Sequence, residues 1–276
     1  CGCSTIDMTA SRGLTATQLK YFAAVFMVID HIGMLFTPMA PFFPADSLWF
    51  YAFRYLGRLA FPIFAYFAAQ GCRKTSNYPR YLLRLGLFGA VTHAVAYIAT
   101  GGTGGSVIAT FFLAAAAIGA CRTLKNKGYG WLGLPVTVVL LVLAQLLRVD
   151  YGWVGVLTVL AVYAAGSDRR RQFLALAGCL LLFYVAGGVW TYFGPAALAL
   201  LKSENWTGML AQLAAYLPSF RRFYLPYSLL MAGFACLALL PLSRYNGQRG
   251  NGSRWFFYWF YPGHLVVLYA LSMLIG

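Results

Sequence analysis

The chain has 276 residues, 61% of them hydrophobic and only 10% charged, with a mean hydropathy of +0.70 and a formal net charge of +15. So large an apolar share exceeds what a soluble domain of this length can bury, and its long unbroken apolar runs do not alternate as the strands of a membrane barrel do. The 21 Lys and Arg residues are spread between those runs rather than gathered into a basic domain, so they act as topology signals and not as a nucleic-acid surface. The expected fold is all-α, a polytopic integral membrane protein in a lipid bilayer, because helices satisfy their own backbone in lipid.

In chain order, residues 1–14 are expected to form a leader or disordered N-terminus, with Met8 as a candidate start, and 15–276 a single transmembrane domain. Apolar spans are predicted near 18–39, 57–72, 81–99, 105–121, 131–147, 152–166, 172–190, 224–242 and 256–275. That is about nine transmembrane helices. The stretch 191–223 is expected to be an external or re-entrant element, and a tenth span if 206–218 crosses. With the N-terminus inside, fifteen cations fall in inner loops and six outside, a positive-inside bias that predicts N-in, C-out. The tract Gly101-Gly102-Thr103-Gly104-Gly105 lacks the GK[ST] ending of a phosphate loop and is expected to be an outer hinge. The six cysteines show no CxxC pairing and no Cys/His cluster, so neither a disulfide framework nor a metal site is predicted.

Ionisable groups inside spans are costly, so function is sought at those few. Asp30 and His31 lie deep in the first span. His31 follows Lys20 by eleven residues, just over three turns and about 16 Å along the axis, which puts both on one helix face. Such a stripe suits a cofactor with an anionic part at the cytoplasmic surface and a long arm reaching inward, as in acyl-coenzyme A, with His31 as general base. The other reading of His31 is an imidazole bonded to a neighbouring helix. Neighbouring helical residues point about 100° apart, so a direct Asp30–His31 dyad is not assured.

Arg58, just before Pro62, is placed to pair with Asp30 or polarise a carbonyl oxygen, or else to snorkel at the interface. Asp150, in Asp150-Tyr151-Gly152-Trp153, either orients a substrate amine or pairs with Arg148. The Gly-flanked turn holding Arg249 is suited to phosphate. The run from Trp255 to His264, which includes Tyr261, reads as an interfacial aromatic belt carrying a second intramembrane imidazole. His93 reads as a packing residue.

Taken together, Leu19-Lys20 through Asp30-His31-Ile32-Gly33, Gly57-Arg58-Leu59-Ala60-Phe61-Pro62, Asp150-Tyr151-Gly152, Tyr245-Asn246-Gly247 and Phe257 through His264 resemble the TraX family. The resemblance covers nearly the whole chain from about residue 15. That family takes its name from a conjugation protein that N-acetylates pilin, and it is similar to transmembrane acyltransferases. In their acyltransferase-3 branch a basic residue, ten intervening residues and a histidine mark the first catalytic helix, a spacing that Lys20 and His31 match. The resemblance implies His31, with Asp30 and Arg58, at the catalytic centre, and Lys20 by the coenzyme. On matching motif positions, Arg249, His264 and Tyr261 join the coenzyme side, and Asp150 and Tyr151 the acceptor side. It implies no metal and a place in the bacterial inner membrane.

The expected function is therefore transfer of an acyl group, most plausibly acetyl, from cytosolic acetyl-CoA to an amine or hydroxyl of an acceptor at the outer half of the membrane, a pilin-like N-terminus being one case. The alternative is a non-enzymatic transporter or an assembly factor for secreted subunits. No inverted repeat is visible to favour transport.

Overall fold

The structure, a computed structural model, describes residues 13–36, 47–202 and 206–275. Apart from an isolated bridge between Leu14 and Tyr245, the described chain is helical and turn structure. Helix α1 spans Ala16–Phe36, α2 Leu48–Gly57, α3 Ala60–Lys74, α4 Tyr78–Ala99 and α5 Val107–Asn126. Next come α6 Gly133–Leu146, α7 Gly152–Ala164, α8 Arg169–Leu181 and α9 Gly187–Lys202. The chain ends with α10 Trp206–Ser219, α11 Leu225–Leu237, the short α12 Leu239–Ser243 and α13 Arg254–Ile275. Local sequence explains several starts. The side chains of Ser47, Asn77, Ser106 and Asp168 each accept a bond from a free N–H in the first turn of the helix they precede.

Six helical stretches among the described residues are long and apolar enough to cross a membrane: Ala16–Phe36, Tyr78–Ala99, Val107–Asn126, Arg169–Ala199, Trp206–Ser243 and Trp255–Leu274. Helices α6 and α7 are apolar but shorter. The chain is thus a multi-pass membrane protein. Its centre is α3 with α5 and α7, where Ala-rich faces of α3 and α5 and a Val-rich face of α7 meet. Ile63, Ala65, Ala114, Ala115, Val156 and Val159 are all fully buried there. Apolar side chains such as Leu83, Leu87 and Ile98 on α4 point outward, the inverse pattern that a lipid solvent permits.

The 57–72 span corresponds to α3, which starts at Ala60 after a break from α2 at Gly57 and has Pro62 in its first turn, where a missing N–H costs nothing. Helix α2, but for its last residue Gly57, lies outside every predicted span. The 191–223 stretch, expected as an external or re-entrant element, forms helices that extend their neighbours. Helices α9 and α10 continue α8 and α11 through π-helical turns at Leu182–Ala186 and Phe220–Tyr224 and pack against each other as a hairpin. The two joined stretches have 31 and 38 residues, about 46 and 57 Å at the α-helical rise, against a hydrocarbon core of ~30 Å, so the hairpin outreaches it. Most of the expected leader, 1–12, lies outside the described residues, as do Cys1, Cys3 and 37–39 of the first span. Leu14, at the leader's end, is tied down: its N–H bonds the Arg244 carbonyl at 2.7 Å and its carbonyl accepts from Asn246 at 3.0 Å.

The segments assigned to the inner side meet at one end of the bundle. Arg73 bonds the Val162, Tyr163 and Gly166 carbonyls, Arg122 the Cys72 carbonyl, and Arg169 the Leu242 and Tyr245 carbonyls. The first N–H groups of α1 are capped from this end too, by the carbonyls of Gln248 and Arg249 at 2.9 and 3.0 Å. Four of the six cysteines, Cys72, Cys121, Cys179 and Cys236, are free thiols.

Helices α1 and α2 touch where Gly57 meets Asp30: a Cβ at 57 would lie 2.2 Å from the Asp30 Cβ. Gly57→Ala is expected to force the helices apart at about 1–3 kcal/mol, the range for overpacking. Gly178→Ala on α8, where nothing lies within 4 Å of the new carbon, serves as control. Thermal unfolding in detergent should show a lowered midpoint for the first variant only; equal midpoints would refute the contact.

Candidate functional site

Asp30 of α1 is the centre of an ion-pair cluster. Its Oδ1 accepts from Arg54 Nη1 at 2.8 Å and from Arg58 Nη2 at 2.6 Å, and Arg58 Nε donates to the Arg54 carbonyl at 3.0 Å. The two arginines are four residues apart, one on α2 and one at its C-cap, so they share a face. Arg58 is 8% exposed and does not snorkel. Two of its five N–H groups are engaged in these bonds.

His31 points elsewhere, as the 100° offset requires. Its Nδ1 lies 2.8 Å from the Met27 carbonyl oxygen and 3.2 Å from Nε2 of His264, whose own Nδ1 lies 2.8 Å from the Phe260 carbonyl. A carbonyl oxygen only accepts, so both Nδ1 atoms carry a proton and both Nε2 atoms are bare in the neutral rings. The bare Nε2 of His264 is occupied by His31. That leaves the Nε2 of His31 as the basic nitrogen without a recorded partner among the described residues, and it is His31 that lines the adjacent chamber.

That chamber, about 140 Å³, also brings in Asp30, Arg54, Arg58, Asp150 and Tyr151. It is the middle of three cavities. A cavity of about 340 Å³ at the cationic end is lined by Lys20, Lys74, Arg84 and Arg249 among aromatic rings, and shares Tyr261 with the chamber. A third, of about 890 Å³, lies at the base of the hairpin with Trp153, Tyr184, Trp190 and Tyr227 in its walls, and shares Tyr151 with the chamber. Tyr151 holds a left-handed backbone with φ of 61°, uncommon for a residue with a side chain, and its ring stacks on Phe61 at 3.7 Å between centroids. Across from it, Gly105 abuts the Arg148–Asp150 turn so closely that a Cβ would meet the Arg148 carbonyl at 2.0 Å.

Of the expected residues, Asp30, His31, Arg58, Asp150 and Tyr151 meet in the chamber, Lys20 and Arg249 meet in the cationic cavity, and Tyr261 borders both. His264, expected on the coenzyme side, sits against His31 and does not line the cavity that holds Lys20 and Arg249. Asp150 forms no ion pair with Arg148; its Oδ1 accepts from the Tyr151 N–H at 3.0 Å. His93 accepts from the Ser106 N–H at 3.3 Å, a bond that ties α4 to the N-cap of α5. Sequence reasoning misses Arg54, although its place four residues before Arg58 is a legible signal. It also misses Tyr184, which reaches the site through a π-helical turn that no pattern announces. Such turns recur at functional sites.

These features define a polytopic helical membrane protein with an ion-pair cluster and a histidine pair between its helices. Its family follows from comparison: the model described as "TraX protein" matches residues 15–272, and the chain belongs to that family. A relative from Dichelobacter nodosus, described as "Probable fimbrial assembly protein FimC, serogroup H1", is 25% identical over 283 residues, covering 97% of this chain and 100% of that protein. No solved structure matches the chain.

Breaking a buried ion pair from one side leaves a charge uncompensated, at about 3–5 kcal/mol. Asp30→Asn strands two guanidinium groups and is expected to cost on that order, while Arg54→Gln, with Arg58 still holding Asp30, is expected to cost much less. Unfolding midpoints in detergent check the order; a larger loss for Arg54→Gln would contradict it.

Proposed function

We propose that the protein is an acyltransferase that moves an acyl group, acetyl by preference, from acyl-coenzyme A to an amine or hydroxyl of an acceptor. The observation that carries this reading is the bare Nε2 of His31 in a small chamber between a cationic cavity and a large aromatic one. In a nine-pass, N-in arrangement in the bacterial inner membrane, the cationic cavity would receive the coenzyme from the cytosol, and the aromatic cavity would receive the acceptor from the outer side.

His31 Nε2 takes the proton of the acceptor as its nitrogen or oxygen attacks the thioester carbonyl. The carbonyl oxygen gains negative charge, steadied by the N–H groups of Arg58 that Asp30 and the Arg54 carbonyl leave free. Collapse of the intermediate breaks the C–S bond, and the proton on His31 passes to the departing sulfur. The products are the acylated acceptor and free coenzyme A. His264 is a positioning residue, since its Nε2 accepts from Nδ1–H of His31 and so keeps the tautomer whose Nε2 is bare. The small chamber favours a short acyl chain, and the Lys20-to-His31 spacing, similar to the acyltransferase-3 pattern, supports the same chemistry. The name of the Dichelobacter nodosus relative supports an acceptor among the subunits of surface fibres. It equally favours a second reading, a non-catalytic assembly factor.

The test is release of free coenzyme A from acetyl-coenzyme A by the purified protein supplied with a membrane extract. His31→Ala is expected to lower the rate by about 10²–10⁴-fold, the usual contribution of a general base, and His264→Ala by less. No release, with no binding of the coenzyme, would leave the assembly reading standing.

A further inference from the structure

Four cations on four separate parts of the chain converge on the cavity at the basic end: Lys20 on α1, Lys74 at the end of α3, Arg84 on α4 and Arg249 in the turn before α13. No carboxylate lines that cavity, and among the described residues none of the four has an ion-pair partner. Their recorded contacts are neutral. Lys20 Nζ lies over the rings of Phe67 and Phe257 at 5.3 and 5.8 Å, and Lys74 Nζ reaches the Tyr245 hydroxyl and the Gly247 carbonyl only at 3.4 Å each. Most telling is Arg84, whose Nε is sealed from solvent with no acceptor among the described residues. A buried charged donor left without a partner is costly, and four like charges around one small space add repulsion. An anion with several negative charges removes both costs at once.

We propose that Lys20, Lys74, Arg84 and Arg249 form a cage for the phosphates of a polyphosphorylated nucleotide, with the Arg84 guanidinium turning to donate to one phosphate oxygen. Four cations exceed what a carboxylate or a single phosphate neutralises, and the surrounding rings of Phe64, Phe111 and Tyr258 offer faces for a base. Identifying that nucleotide as a coenzyme with three phosphates rests on the acyl-transfer reading; the cage does not.

Binding of coenzyme A, 3′-dephospho-coenzyme A, pantetheine and ATP to the full chain in detergent separates the two. Coenzyme A should bind most tightly. Loss of its 3′-phosphate, or Arg84→Gln, should each weaken binding by about tenfold, the effect of one charge-assisted hydrogen bond. Lys74→Gln, at the exposed rim, should weaken it less, pantetheine should not bind, and affinity should fall with added salt. Should Arg84→Gln fail to fold, the Lys74→Gln and 3′-dephospho comparisons carry the test. Coenzyme binding that ignores the 3′-phosphate, both substitutions and salt would overturn the cage while leaving acyl transfer intact. ATP binding that depends on Arg84, with no coenzyme binding, would support the cage and overturn acyl transfer. No binding of any phosphate-bearing compound would overturn the cage.

Discussion

One carboxylate holds two guanidinium groups in the middle of this protein, and the rest of the site follows from it. Asp30 is drawn to Arg54 and Arg58 where solvent screening is weak, so α1 is fixed in rotation as well as in position against α2 and the start of α3. Successive residues on a helix diverge by about 100°, so fixing Asp30 on one side directs His31 to another, toward α13 and His264. Gly57 supplies the close approach this geometry needs, since any side chain there would occupy the space of the Asp30 carboxyl. A charge pair and an absent methyl group thus decide which way the imidazole faces.

The same economy governs the three cavities. Each cavity shares one tyrosine with the next, Tyr261 toward the basic end and Tyr151 toward the hairpin. A tyrosine suits a partition between unlike surroundings, because its ring is apolar and its hydroxyl bonds with polar neighbours. The unfavourable backbone of Tyr151 is sustained by the stack on Phe61 and by the turn that Gly105 lets approach. The position is therefore over-determined by its surroundings.

Much of this was legible before any coordinates. Unbroken apolar runs placed α4, α5 and α13 within a few residues, and the eleven-residue step from Lys20 to His31 put a cation and an imidazole on one face. What escaped has physical causes. Helix α2 is only ten residues long and carries Arg54, so no hydropathy window detects it. The hairpin helices read as an external element because Pro218 and the Arg221-Arg222 pair interrupt the apolar run, and the π-helical turns that join them to α8 and α11 leave no sequence signal. The meeting of His31 with His264 joins residues 233 apart in sequence, and Arg84 joins Lys20 and Arg249 across three elements; local pattern carries no information about either.

Gathering the basic loops at one end has a consequence beyond ligand binding. In an energised membrane each elementary charge would feel about 2.3 kcal/mol per 100 mV, so inverting the protein would carry the excess of cations at that end across the field. The sum over so many charges far exceeds the contribution of any single packing contact in the bundle. Orientation is therefore held collectively, and neutralising one arginine in a loop leaves the vectorial sense of the molecule unchanged.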